Sequence, residues 1–209
     1  MILWIKNASN DLINAESENN ALKLKLLKSK VNPQIVNKAF DYIKSESSEL
    51  AQQMVLRLSS FLRYLLYESQ KNVNTIEAEL DFLVNFLEIA EHALAGQVAI
   101  DYKIKKSGNN QHIMKSLALY PLLSEVIEKA NSFVDLNIFL ENHLLTLRIS
   151  FDLREGNQLS DFDIVLIKEF GNNFVFQFSE ENDKRHINLV VDFNKPQYFH
   201  NENLQMLNS

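Results

Sequence analysis

The chain has 209 residues, of which 46% are hydrophobic and 23% charged, with a net charge of −6. That is ordinary globular composition with room for one domain or two small ones, and the interspersed acidic excess speaks against the basic face that phosphate-backbone binding needs, so no nucleic-acid partner is expected. There is no cysteine, which excludes disulfides, thiolate metal sites and a cysteine nucleophile.

The apolar start Met1-Ile2-Leu3-Trp4-Ile5 is far shorter than the roughly 20 residues a membrane span needs. Residues 1–16 are therefore read as an N-terminal segment, and the expected location is the cytoplasm, with membrane association only through a segment lying further upstream. Residues 16–44 are rich in helix formers. Leu22, Leu26, Leu27, Val31, Ile35, Ala39 and Ile43 make one apolar stripe at helical spacing. Pro33 lies inside that stripe, and an interior proline costs about 3 kcal/mol, so a kink is expected there. The cluster from Lys44 to Ser48 reads as a tight turn. A second helix follows, with Leu50, Met54, Leu58, Phe61 and Leu65 on one face and Val55, Leu62 and Leu66 widening it. One hairpin cannot bury two such wide stripes alone, so pairing with a second copy into a four-helix bundle is expected.

Asn74 followed by Glu77 reads as a capping box, opening a third helix to about Ala95 with Ile76, Leu80, Leu83, Leu87 and Ala90 on one face. Gly96 ends it. Val98, Ile100, Tyr102 and Ile104 then alternate as a strand does. Residues 117–133 read as a helix with Pro121 near its first turn. Residues 138–140 and 145–153 read as a hairpin, residues 162–170 as a short helix or a strand, and residues 174–178 and 187–193 as two final strands. The last dozen residues are polar and read as a loose tail. The whole is α+β: a helical hairpin followed by an α/β layer.

Four stretches resemble the core of LytS-type sensor histidine kinases. Leu27-Lys28-Ser29-Lys30-Val31-Asn32-Pro33-Gln34 is similar to that family's LKAQINPH segment. Arg57-Leu58-Ser59-Ser60-Phe61-Leu62-Arg63-Tyr64 resembles RLSDLLRY. Ile76-Glu77-Ala78-Glu79-Leu80 with Phe86-Leu87-Glu88-Ile89 resembles LEEEL and YLEI, and residues 122–130 resemble LLQPLVENA. The order and spacing match too. The resemblance implies a dimerisation and phosphotransfer-like hairpin at residues 17–72, a histidine-kinase ATPase-like α/β sandwich at 73–197 and a tail at 198–209. It also implies a homodimer through residues 17–70, and a response regulator or a true histidine kinase as partner.

The departures from the family bear on chemistry. Gln34 stands at the phosphoacceptor position, and a carboxamide lacks the imidazole nitrogen that forms a phosphoramidate. The family's metal-holding asparagine is Lys129, which donates only and cannot ligate magnesium as an ammonium ion. Glu128 matches the general-base position and Asp152 the adenine-contacting aspartate. The glycine motifs that let backbone amides approach phosphates are missing around Asp152 and before Ile164. Neither ATP nor magnesium is therefore expected as a cofactor, and a pseudokinase is the expected function. Glu128 and Asp152 then read as solvated carboxylates, and Gln34 as a passive polar residue. Of the five histidines, none has metal-ligand spacing with another. His92 is the alternative acceptor if the chain transfers phosphoryl groups after all. A purely structural dimer is the third reading.

Overall fold

The computed structural model describes residues 32–107, 112–159, 170, 173–181 and 183–194. The stripe positions before residue 32, the expected element at 162–169 and the tail at 198–209 lie outside the described residues.

Helix α1 (Pro33–Ser45) begins at the proline. Asn32 is its N-cap in extended conformation, and its side-chain oxygen accepts the N–H groups of Gln34 at 3.0 Å and Ile35 at 3.4 Å. This corrects the expected kink. Pro33 is the first helical residue, where its missing N–H would have had no partner anyway and its fixed φ suits the helix. Helix α2 (Ser48–Leu66) follows a two-residue turn and leads through a short 3-10 turn, Glu68–Gln70, to strand β1 (Val73–Thr75). Strand β1 pairs antiparallel with β3 (Ile113–Lys115), a small ribbon that the sequence pattern did not reveal. Helix α3 (Ile76–Ala93) is capped by Thr75, whose hydroxyl accepts the N–H of Ala78 at 3.3 Å. The expected cap, Asn74, is instead buried inside β1.

Helix α3 decides how the helices stack. Besides Ile76, Leu80, Leu83, Leu87 and Ala90, it buries Phe82, Phe86 and Ile89. A helix apolar most of the way round must be covered on more than one side. The hairpin supplies one cover: Phe61 of α2 stacks on Phe82 at 5.3 Å and on Phe86 at 5.9 Å between ring centroids. The stripe of Ile35, Ala39, Met54, Leu58, Phe61 and Leu65 is thus buried within a single chain. Each of the larger side chains contributes about 1.5–3 kcal/mol by leaving water. The cover that was expected from a second copy is provided by α3.

The sheet has five strands in the order β2-β4-β5-β7-β6. They are β2 (Ala99–Ser107), β4 (Ala130–Glu141), β5 (Leu144–Leu153), β6 (Phe174–Glu181) and β7 (Lys184–Asp192). Strand β2 runs parallel to β4, and the remaining pairs are antiparallel. Alternate residues form a closed apolar face: Leu136, Ile138 and Leu140 of β4, Leu145, Leu147 and Phe151 of β5, and Leu189 and Val191 of β7 are each 0% exposed. The opposite residues, among them Asp135, Asn137, Arg148, Ser150 and His186, are mostly polar. The architecture is α+β, as expected.

One boundary differs in a way that matters for the site. Helix α4 (Tyr120–Lys129) is shorter than the helix expected at 117–133, and β4 starts directly at Ala130. Asn131 and Ser132 are poor helix formers, while Val134, Leu136, Ile138 and Leu140 repeat every two residues, so the strand period prevails.

Candidate functional site

The positions singled out by sequence gather where α4 meets β4 and β5, with the start of α1 laid beside them. Gln34 is the second residue of α1 and is exposed. Its neighbour Asn32 donates a side-chain N–H to the Glu128 carboxylate at 2.9 Å, a contact between groups 96 residues apart. The fold therefore brings the phosphoacceptor-position segment onto the helix that carries the general-base position. At that junction stand the side-chain amide of Asn32 and the carboxylate of Glu128.

Lys129 is the last residue of α4. Its ammonium group donates to Glu125, one turn earlier, at 2.6 Å, and to the carbonyl oxygen of Gln158. Arg154 completes this binding of the helix end. Its backbone N–H donates to the Lys129 carbonyl at 3.1 Å and its Nε to the Ala130 carbonyl at 2.9 Å. The last carbonyls of a helix lack intrahelical partners, and here the segment after β5 supplies donors. That segment turns at Gly156, whose φ of +81° suits glycine.

Asp152, near the end of β5, has a structural task. Between Ala130 and Val134 the register of β4 against β5 shifts, leaving a bulge of extra residues. Asp152 closes it. One carboxylate oxygen accepts the backbone N–H groups of Ser132 at 2.9 Å and Phe133 at 3.1 Å. The other accepts the Ser132 hydroxyl at 2.6 Å and the Asn131 side chain at 3.4 Å. Partial burial pushes the Asp152 pKa up, but these donors, Ser132 foremost, outweigh it and hold the carboxyl at about 2. Phe133 is half-buried, with the Lys184 ammonium 5.1 Å from its ring centroid.

His92 is exposed near the end of α3, with the ring of Tyr42 from α1 at 5.2 Å. Among the described residues no group of His, Asp or Glu side chains is placed to hold a metal ion. Nor is any helix among them long and apolar enough to cross a membrane.

The sequence pattern missed a second polar centre. Glu79 on α3 is 2% exposed. It accepts the hydroxyl of Tyr64 from α2, the side-chain N–H of Asn74 from β1 at 3.4 Å, and the backbone N–H of Leu117 at 2.9 Å. Asn74 also donates to Tyr64 at 2.8 Å and to Ser116 at 3.0 Å, and the Ser116 hydroxyl donates to the Lys71 carbonyl at 2.6 Å. Burial first, and then the hydrogen bond to Glu79, raise the Tyr64 pKa. Leu117 holds φ +62°, an unusual conformation for leucine, and the Glu79 contact fixes it there. Nine residues further along α3, Glu88 pairs with Arg57 of α2. One signal was available in the sequence: Glu79 sits among the apolar positions of α3, three and four residues before Phe82 and Leu83, where a carboxylate needs a partner.

Residues 22–97 match the family model of histidine kinases. This span covers α1, α2 and α3 together, including both Tyr64–Glu79 and Arg57–Glu88. No curated protein matches. Among solved structures, the chain is similar to the histidine kinase AdeS of Acinetobacter baumannii, with 11% identity and a TM-score of 0.41 over 84% of this chain and 98% of that one. It is also similar to the histidine kinase domain of the blue-light activated kinase of Erythrobacter litoralis EL346, with 11% identity and a TM-score of 0.45 over 79% of this chain and 98% of that one. A histidine kinase from Burkholderia phymatum STM815 follows, with 12% identity and a TM-score of 0.39 over 78% and 99%.

Proposed function

Taking residues 22–97 as a histidine-kinase core, we propose that this is a histidine-kinase-like protein of two-component signalling that retains the kinase architecture and lacks its chemistry. The observation that carries the reading is Lys129. Where the resembled kinases hold magnesium through an asparagine, this chain places an ammonium ion, tied to Glu125 and to the Gln158 carbonyl. A cation that only donates repels a divalent metal and offers it no lone pair.

The neighbouring groups point the same way. The Asp152 oxygens are taken up by residues 131–133, leaving little acceptor capacity for an adenine amine. Gln34 offers no imidazole, and Glu128 receives an amide N–H in place of a nucleophile to activate. Magnesium and ATP do not fit these side chains, so no phosphoryl step is routed through them. The protein would act by binding: as a homodimer through its hairpin region, residues 17–72, and toward a response regulator or a catalytically competent histidine kinase, with residues 73–197 as an ATPase-like body.

Labelled ATP with magnesium is the direct test. No label transfer and no binding at micromolar concentration are expected. Autophosphorylation would overturn the proposal, and if the label vanished in His92→Ala, phosphotransfer through His92 would replace it.

A further inference from the structure

The five-stranded sheet ends on β2, and among the described residues β2 pairs on one side only, with β4. Its nine residues exceed the roughly 5–6 of a typical strand, and the N–H and C=O groups along its open side form a ladder that another strand can complete. Edges of this kind are usually closed off by charges of one sign. Here the signs are mixed. Asp101, Lys103 and Lys105 are exposed and alternate on the polar face of the sheet. None of the three takes part in an ion pair among the described residues. Asp101 also lies in register with Asp135 of β4, and like charges in that position destabilise a sheet unless a cation joins them. On the other face, Lys106 is engaged by Asp81 of α3 at 3.1 Å. Ile100 there is buried, whereas Tyr102 and Ile104 are only partly buried, at the margin of the core.

The order of residues makes this edge complementary to itself. Two identical strands paired antiparallel about a two-fold axis normal to the sheet oppose residues in fixed pairs, and opposed side chains lie on the same face. With the axis at Tyr102, Asp101 of each copy faces Lys103 of the other on the polar face. The second copy's Lys103 then supplies a cation beside the Asp101 and Asp135 carboxylates. On the inner face, Ile104 of each copy meets Ile100 of the other, and the two Tyr102 side chains meet at the axis, so the partly buried pair gains apolar neighbours. Lys105 falls opposite Ala99, which carries no charge. Moving the axis by one residue destroys this match: at Asp101 it opposes two carboxylates, and at Lys103 two ammonium groups. A strand of purely acidic or purely basic character would satisfy one of the two signs and repel the other. The occupant that these charges select is a second copy of the chain.

We propose that two copies join at the open edge of β2, antiparallel and centred on Tyr102, into one continuous sheet. This contact lies in the α/β body, away from the hairpin, and does not depend on the proposed function. Sedimentation equilibrium of the full chain is expected to show self-association. Asp101→Lys and Lys103→Asp each turn two attractive pairs per contact into repulsive ones, and each should weaken the association about tenfold. The double variant Asp101→Lys/Lys103→Asp should recover it, because only antiparallel self-pairing in this register restores both pairs. Both positions are exposed, and unchanged circular dichroism checks that the variants fold. The chain has no cysteine, so Tyr102→Cys reports the axis directly. A short bis-maleimide should link two copies of that variant, and should not link copies of Val175→Cys, at an exposed position on the opposite edge strand β6. A monomer at every concentration, association indifferent to the single variants, no rescue in the double variant, or no link at Tyr102→Cys would each overturn the proposal. Association indifferent to these variants leaves a dimer through the hairpin region standing, since the hairpin carries none of the substitutions.

Discussion

Two carboxylates at motif positions, Glu79 and Asp152, accept hydrogen bonds in the same way but are placed very differently. Glu79 is buried and joins three separate pieces of chain: α2 through Tyr64, β1 through Asn74, and the entry to α4 through Leu117. Asp152 is half-buried and joins β5 only to the bulge three strand positions long at residues 131–133. The first contact connects the hairpin to the α/β body. The second ties a local irregularity of β4 to the neighbouring strand. A buried acceptor with several donors depends on every partner, whereas an exposed one shares them with water. The difference indicates where the fold concentrates its stability.

The strongest way to break the comparison is Glu79→Ala. It leaves the Tyr64 hydroxyl and the Leu117 N–H buried without an acceptor, and should cost about 3–5 kcal/mol in urea unfolding. Tyr64→Phe removes one donor and keeps the ring stacked on Phe82; about 1–2 kcal/mol is expected. Because the folded-state pKa of Tyr64 is raised, its hydrogen bond stabilises the fold fully below the unfolded value and loses that contribution as pH rises beyond it. Alkaline unfolding should thus come earlier in the wild type than in Tyr64→Phe, relative to their stabilities at neutral pH.

Asp152→Asn should cost less, about 1 kcal/mol at neutral pH once its solvent exposure is allowed for. The sign of its pH dependence is the reverse. With a folded-state pKa of about 2 against an ordinary 3.8, the contribution is complete above pH 4 and disappears as pH falls toward 2, so wild type and Asp152→Asn should converge there. Arg57→Ala, which breaks the partly exposed pair with Glu88, should change stability by less than about 1 kcal/mol. A larger loss at Asp152 than at Glu79 would reverse the comparison.

Much of the fold was legible in the sequence because it is written in period. The second helix, the third helix and the strands β5 and β7 follow from apolar spacings of 3.6 and 2. The α4–β4 boundary was not legible, because residues 117–129 and the alternation beginning at Val134 compete across Asn131 and Ser132, and only sheet pairing settles the competition. Nor was the start of α1: a proline within a continuous stripe reads as a kink, and the Asn32 cap that makes it a first residue is a local geometry. For the site, the identities of Gln34, Glu128, Lys129 and Asp152 were readable from motif order. The contacts Asn32–Glu128, Lys129–Gln158 and Asp152–Ser132 were not, since each joins groups far apart in sequence.

The sequence by itself determined which faces are apolar and most of the elements that form. Only the tertiary structure decided what covers each face. An amphipathic stripe requires that something apolar pack against it, since the hydrophobic effect is non-directional, and does not specify whether the partner comes from the same chain or another. Here Phe82, Phe86 and Ile89 give α3 a second apolar side, and the hairpin folds onto it.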